Sequence, residues 1–318
     1  MNTLPERPDQ SPITSPRSER VRRIAALAGR SARRKQGRIR VEGPQAVRSL
    51  LTERSGDTLE LHLTAKADAQ HPELADLART ANVPVRLTDE RILAAMVREP
   101  GTEGTLVSPQ GVVAIAHQPA SVSLDAVLGG AGHVVADDGA RPVYSGGSTD
   151  TTDQVSTDAP LTLLVLHEVR DPGNVGTLIR TADAAGADAV ILTKTCADPY
   201  APKVIRASVG SVFHLPLVLD THIDQVLTAL AAKHVTAVAT SGYADRDLYD
   251  SDLPERIAWI MGNEAHGLDA DTLAAAPLAV RIPLVGRAES LNVHTAATVC
   301  LFETLRRRPR AGHHGEGR

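Results

Sequence analysis

Residues 161–193, LTLLVLHEVRDPGNVGTLIRTADAAGADAVILT, decide the fold class. The run LTLLVLHEV (161–169) is almost continuously apolar, as in a strand covered on both faces. Asp171-Pro172-Gly173 then turns the chain, and Asn174 is placed to cap the helix after it. Val175, Leu178, Ile179 and Ala182 recur at helical spacing, and DAVILT (188–193) is a second apolar strand. Strand, helix and strand in succession predict a parallel β-α-β unit. At about 100° per residue, Arg180 projects away from the apolar stripe of that helix and is left to meet a partner. Capping and a solvated arginine would account for the segment taken alone.

Outward from this unit the alternation continues. VFHLPLV (212–218), VTAVAT (235–240), IAWIM (257–261) and AVRIPL (279–284) are candidate strands, and a long helix is predicted from about Leu291 to Arg307. An α/β sheet of this kind takes ligands at the C-terminal ends of its strands. Two further segments lie at such ends. Gly262-Asn263-Glu264-Ala265-His266-Gly267-Leu268 has glycines five apart, which permits a tight loop approached closely by a ligand. Ile282-Pro283-Leu284-Val285-Gly286-Arg287-Ala288-Glu289-Ser290-Leu291-Asn292-Val293 is a polar loop leading into the last helix, where Ser290 could act only as a cap. The usual nucleotide and hydrolase signatures are missing. There is no GxGxxG, no GxxxxGK[ST] and no GxSxG, and no His/Cys/Asp/Glu grouping has zinc spacing. No metal is expected. His313 and His314 lie in a Gly-rich tail and read as a solvated end.

The chain has 318 residues, enough for two domains, with 42% hydrophobic and 23% charged residues. Aromatics are 2%, which argues against base stacking as the main mode of binding. No apolar run reaches the roughly 20 residues of a membrane span. The polar N-terminus lacks a signal-peptide core, and two cysteines, Cys196 and Cys300, suit a reducing cytoplasm. The net charge of −4 hides an asymmetry: Arg17–Arg40 holds ten basic residues against one acid, Glu19. Such a cluster binds phosphates locally even on an acidic protein, although a solvated helix face would look the same. Arg30, Arg33, Arg34, Lys35, Arg38 and Arg40 are the candidate phosphate contacts. Val21, Ile24, Ala25 and Ala28 predict a helix that Gly29 ends, and EGPQAVRSLL (42–51) a second one. LELHLT (59–64), VPVRLT (83–88) and GVVAIAH (111–117) predict strands, with helices over 71–81 and 89–97. The expected organisation is a disordered tail (1–16), a small α/β domain (17–119), an acidic flexible linker (120–160), a main α/β domain (161–308) and a tail (309–318). Residues 137–158 carry five Asp and one Arg.

Together DPGNVGTLIRTADAAGADAVIL, GNEAHGL and IPLVGRAESLNV resemble, in order and spacing, the three motifs of the SpoU/TrmH family of the SPOUT methyltransferase superfamily. ADPYAPKVIRASVGSVFHLPLV between the first two is also similar, and the resemblance covers roughly 161–308. RRKQGRIRVEGPQAVRSLL is similar to the ribosomal-protein-like substrate-binding domain upstream in many members, which implies that 17–119 is an RNA-substrate-binding domain with Arg30, Arg33, Arg34, Lys35, Arg38 and Arg40 as its RNA contacts. The linker is longer than the family's, and Leu284 stands where methionine is common. The resemblance implies a trefoil-knotted parallel-sheet domain, S-adenosyl-L-methionine as cofactor, and methylation of a ribose 2′-hydroxyl in RNA, with ribosomal RNA foremost. It implies a homodimer through the C-terminal domain, with Arg180 serving the opposing subunit's site. It assigns the catalytic polar positions to Asn174, Arg180, Glu264, Ser290 and Asn292. It places the cofactor against Thr240, Gly262, Ile282, Leu284 and Leu291. A tRNA target, an antibiotic-resistance role, or a non-catalytic RNA-binding assembly factor stays open. The missing GxGxxG disfavours a nucleotide-dependent oxidoreductase.

Overall fold

The β-α-β reading of 161–193 holds in the computed structural model, which describes residues 13–98, 110–129 and 159–308. The first part of the chain forms α1 (Glu19–Ala26), α2 (Arg30–Gln36), β1 (Arg38–Glu42), α3 (Pro44–Glu53), β2 (Thr58–Leu63), α4 (Ala65–Gln70), α5 (Pro72–Thr80), β3 (Val85–Leu87), α6 (Glu90–Met96) and β4 (Val112–His117). Next come α7 (Leu124–Leu128), β5 (Leu161–Leu166), α8 (Pro172–Ala184), β6 (Ala189–Thr193) and α9 (Pro202–Ser208). The chain continues through β7 (Leu217–Thr221), α10 (Ile223–Ala232), β8 (Thr236–Thr240), β9 (Arg246–Asp247), β10 (Arg256–Met261), α11 (Ala270–Ala275), β11 (Leu278–Arg281) and α12 (Val293–Arg307). These elements cluster into two units. One is Met1–Ala120 with Asp198–His214, and the other is Ser121–Ala197 with Leu215–Arg318. The stretches expected as the acidic part of the linker and as the two tails, with His313 and His314, lie largely outside the described residues.

The first unit is built on a four-stranded sheet in the order β1-β4-β2-β3. β4 runs antiparallel to β1 and β2, while β2 and β3 are parallel. On one side Val21, Ile24 and Leu27 close a core with Ile92, Leu93 and Met96 of α6 and Val113 and Ile115 of β4. Strand β1 was not expected, because its alternation of arginines with Ile39 and Val41 resembles a continued basic stretch. Gly29 does not end α1, whose C-cap is Leu27; it is instead the N-cap of α2. The expected strand over 212–218 is also corrected. Residues Ser211–Phe213 form a 3-10 turn, and pairing in β7 begins only at Leu217, after the proline that lacks an N–H. Gly210 explains the local path: at φ +95° it passes so close to α3 that a Cβ there would meet Ser49 Oγ at 2.4 Å.

The second unit carries seven strands in the order β7-β6-β5-β10-β8-β11-β9, every neighbouring pair parallel. β10 enters between β5 and β8, both earlier in the chain, an order compatible with the expected knotted crossover. Leu163, Val165, Ile191, Ala239 and Ile260 form the centre of a core that α10 completes through Val226 and Leu230. α12 packs against α8 and β10, and its register is fixed where buried Trp259 Nε1 donates to Thr304 Oγ1 at 2.9 Å. Near its end, Arg307 donates to the carbonyls of Leu248, Tyr249 and Ser251.

Candidate active site

Because the sheet is parallel, the C-terminal ends of β5, β10, β8 and β11 open on one edge, side by side. Thr240 ends β8, Gly262 comes directly after β10, Ile282 directly after β11, and Leu284 and Leu291 lie in the loop before α12. The structure thus brings all five candidate cofactor positions to adjacent loops. Gly262 is obligatory for the loop's shape: a Cβ on it would lie 2.4 Å from the Gly267 carbonyl group. Gly267, at φ +69°, closes the turn, with reciprocal 2.9 Å hydrogen bonds to Asn263. The residues present fit an adenosyl group. Leu284 is exposed, and Ile282 and Leu291 half-buried, so aliphatic surface is open to a purine face.

Beside these loops, Glu264 gathers the start of α8. Its Oε1 accepts from the Asp171 N–H at 3.0 Å and from Asn174 Nδ2 at 3.2 Å, and its Oε2 from the Arg170 N–H at 3.3 Å. Partial burial pushes its pKa up, but its own backbone N–H and these donors outweigh that and hold it below the ordinary glutamate value. The expectation that Asn174 caps α8 is corrected. Asp171 is the cap, accepting from the Asn174 N–H at 2.9 Å, with Pro172 at the first helical position. That releases the Asn174 side chain to bond Glu264.

Arg180 is exposed, while Val175, Leu178, Ile179 and Ala182 on the same helix are fully buried. Among the described residues it is not joined to the Glu264 network. Asn292 is the N-cap of α12, accepting from the His294 N–H at 2.9 Å, and Ser290 is exposed in the loop before it. The cap therefore belongs to Asn292 rather than Ser290. Sequence reasoning missed two organising residues. Asn263 Nδ2 donates to the Glu168 carbonyl at 3.0 Å while its Oδ1 accepts from the Ala265 and His266 N–H groups. His294 Nε2 lies 2.9 Å from Thr181 Oγ1, tying α12 to α8. An Asn at the start of a glycine-bounded loop was the available signal for the first; no periodicity marks the second.

The basic cluster of the first unit is smaller than its sequence suggests. Arg33 is 2% exposed and donates to the carbonyls of Leu27 and Ala28 and, at 2.5 Å, to Asp198. Arg40 is fully buried, bonding Glu42 at 2.8 Å and the carbonyls of Ala25, Met96 and Val97. Both are corrected from RNA contacts to internal ties, since a buried charge needs its partners and cannot leave them for solvent-borne RNA. Arg30, Arg34, Lys35 and Arg38 are exposed, as are Arg22 and Arg23. Among the described residues no group of three or more His, Cys, Asp or Glu could hold a metal, and no helix is long and apolar enough to cross a membrane.

Residues 161–302 match the SpoU rRNA Methylase family. An uncharacterised tRNA/rRNA methyltransferase of Synechocystis is 30% identical over 301 residues, 94% of each chain. The chain belongs to the SpoU rRNA methylase family. The 23S rRNA (guanosine-2′-O-)-methyltransferase RlmB of Pseudomonas putida is 39% identical over 152 residues, 48% of this chain and 61% of that one. Among solved structures, the AdoMet-bound rRNA methyltransferase of Sinorhizobium meliloti aligns with TM-score 0.71 and 28% identity, over 93% of this chain and 97% of that one. The SpoU methyltransferase AviRb of Streptomyces viridochromogenes, in complex with AdoMet, gives 0.70 and 29% over 91% and 98%. The matched span of this SpoU-family chain contains Asn174, Arg180, Glu264, Ser290 and Asn292. The expected α/β fold, a parallel-sheet methyltransferase unit preceded by a smaller α/β unit, is the fold found.

Proposed function

We propose that this chain transfers the methyl group of S-adenosylmethionine to a ribose 2′-hydroxyl in ribosomal RNA. The observation that carries the reading is the Glu264 network. It locks Asn174 and the start of α8 against the loop after β10, directly beside the loops suited to an adenosyl group. When bound, S-adenosylmethionine supplies an electrophilic methyl on a positively charged sulfur. Thr240, Gly262, Ile282, Leu284 and Leu291 are the residues that hold it. The acceptor hydroxyl is a poor nucleophile until its proton is withdrawn. Asn174, held by Glu264, orients the ribose, and Ser290 closes the loop side of the site. Asn292 fixes that loop to α12 by capping it. Arg180 stabilises the developing alkoxide or grips the adjacent phosphate, whose oxygen can take the proton. A guanidinium stays protonated and has no lone pair to offer, so it is not itself the base.

Among the described residues Arg180 is exposed and not hydrogen-bonded to the Glu264 network of its own chain, which supports its acting in the site of a second copy. The exposed Phe302 and Leu305 on α12 supply an apolar face for a dimer through the C-terminal unit. Arg22, Arg23, Arg30, Arg34, Lys35 and Arg38 are the surface through which the first unit holds RNA. A 23S guanosine is the target we favour, as in the name of the Pseudomonas relative, and the chain acts in the cytoplasm without a metal. The test is tritium transfer from labelled S-adenosylmethionine to RNA of a strain lacking the gene, with subsequent mapping of the label. We expect label in one 23S nucleotide. Label confined to tRNA would move the target, and no transfer to any RNA would favour an assembly factor.

A further inference from the structure

We propose that Arg170 anchors a backbone phosphate of the RNA at the mouth of the site, and that Glu168 parks it until RNA arrives. The proposal rests on the reading of the chain as an RNA methyltransferase. The Arg170 main chain is fixed at the site: its N–H donates to Glu264 Oε2, one residue before the Asp171 N–H that donates to Oε1. Its side chain is 63% exposed and donates from Nη2 to Glu168 Oε2 at 3.1 Å.

Glu168 is presented rigidly. It sits at φ +57°, a region uncommon for a residue with a Cβ. Its N–H donates to Thr193 Oγ1 at 3.3 Å, and its carbonyl accepts from Asn263 Nδ2 at 3.0 Å. The carboxylate is therefore carried by a pinned backbone, and the guanidinium by a flexible stem.

Three carboxylates stand at this mouth, Glu168, Asp171 and Glu264, where a polyanion must approach. Asp171 is engaged in capping α8, and Glu264 is engaged by Arg170, Asp171 and Asn174. Neither can be freed without dismantling the site. The Arg170–Glu168 pair can open alone, because an exposed ion pair adds little stability in water. A phosphodiester carries the same single charge but offers the planar guanidinium two oxygens in matching geometry, where Glu168 accepts one hydrogen bond. Exchange of carboxylate for phosphate thus neutralises the incoming phosphate, at the cost of freeing the Glu168 charge, and places an anchor a few residues from Asn174.

The test uses the full-length chain and transcribed 23S rRNA, with equilibrium binding measured across a salt series. We expect Arg170→Ala to weaken binding about fivefold and to lower the slope of log K against log salt by roughly 0.7–0.9, the value of one phosphate contact. KM for RNA in methyl transfer rises in parallel. Arg170→Lys keeps the slope and recovers part of the affinity. Glu168→Gln tightens binding when Arg170 is present and has no effect in the Arg170→Ala background. Unchanged affinity and slope in Arg170→Ala overturn the proposal. So does a Glu168→Gln gain that persists without Arg170, which would make Glu168 a simple repulsive charge. A wild-type chain that transfers no methyl overturns the parent reading instead. Wild-type transfer with unaltered Arg170→Ala binding overturns the Arg170 assignment alone.

Discussion

At the scale of single residues, α8 separates structure from chemistry by face. Its buried stripe carries the fold, and Arg180 carries none of it. Arg180→Ala should therefore change stability by no more than about 0.5 kcal/mol. Methyl transfer should fall by about a hundredfold or more, the scale of one lost electrostatic group. Single-turnover transfer beside calorimetric titration of S-adenosylhomocysteine checks both, with inhibitor affinity expected to hold. Glu264 gives the opposite pattern, since its carboxylate joins two segments. Its pKa is lowered by folding, so its contribution is full above the ordinary glutamate pKa and is lost as pH falls through the depressed folded value. Protection of the 262–268 loop against hydrogen exchange should weaken on acidification in the wild type. In Glu264→Gln it should be weaker at neutral pH and should lose that pH dependence.

At the scale of elements, a buried charge cluster pins α1 to β2 and β3. Glu60 pairs with Arg20 from α1 and with Arg86 of β3 at 3.0 Å, and His62 Nε2 lies 3.5 Å away. Burial raises the Glu60 pKa, but His62, Arg20 and Arg86 overcome it and bring it to about 2. That depression sets the sign: the stability it supplies is present above the unfolded value and is lost as pH falls from about 4.5 toward 2. Glu60→Gln removes the acid shared by both ion pairs and should cost about 2 kcal/mol at neutral pH, read as a lower denaturation midpoint. The outward face of the same unit has a different role. Replacing Arg22, Arg23, Lys35 and Arg38 together by glutamine should leave that midpoint nearly unchanged. It should lower the salt slope of RNA binding by up to about 3, one contact per residue. An unchanged slope would place the RNA elsewhere.

At the scale of the whole molecule, the site needs a second copy if Arg180 acts across an interface. Phe302→Glu with Leu305→Glu should then give a monomer by light scattering. Methyl transfer should fall at least tenfold, with each chain still binding S-adenosylhomocysteine. A monomeric double variant at full activity would refute the shared site.

The sequence alone determined the parallel α/β class, since apolar strands alternating with amphipathic helices can bury their faces only in such a stack. It also located the three loops, because Gly, Pro and polar residues at strand ends are local signals, and residues 161–302 match the family those loops suggested. Position along the chain could not show which charges are spent inside. Arg33 and Arg40 read like their neighbours, yet each is buried against a partner from well away in the chain, Asp198 for Arg33 and the Met96 carbonyl for Arg40. Nor could it show that residues 198–214 leave the second unit for the first. There Val204, Ile205 and Phe213 are buried and Gly210 passes against Ser49. The joining of Glu264 to Asn174 was equally invisible, as 90 residues separate them. Local propensity reaches a few residues along the chain, whereas burial and charge pairing depend on distance in space, which only the tertiary structure decides.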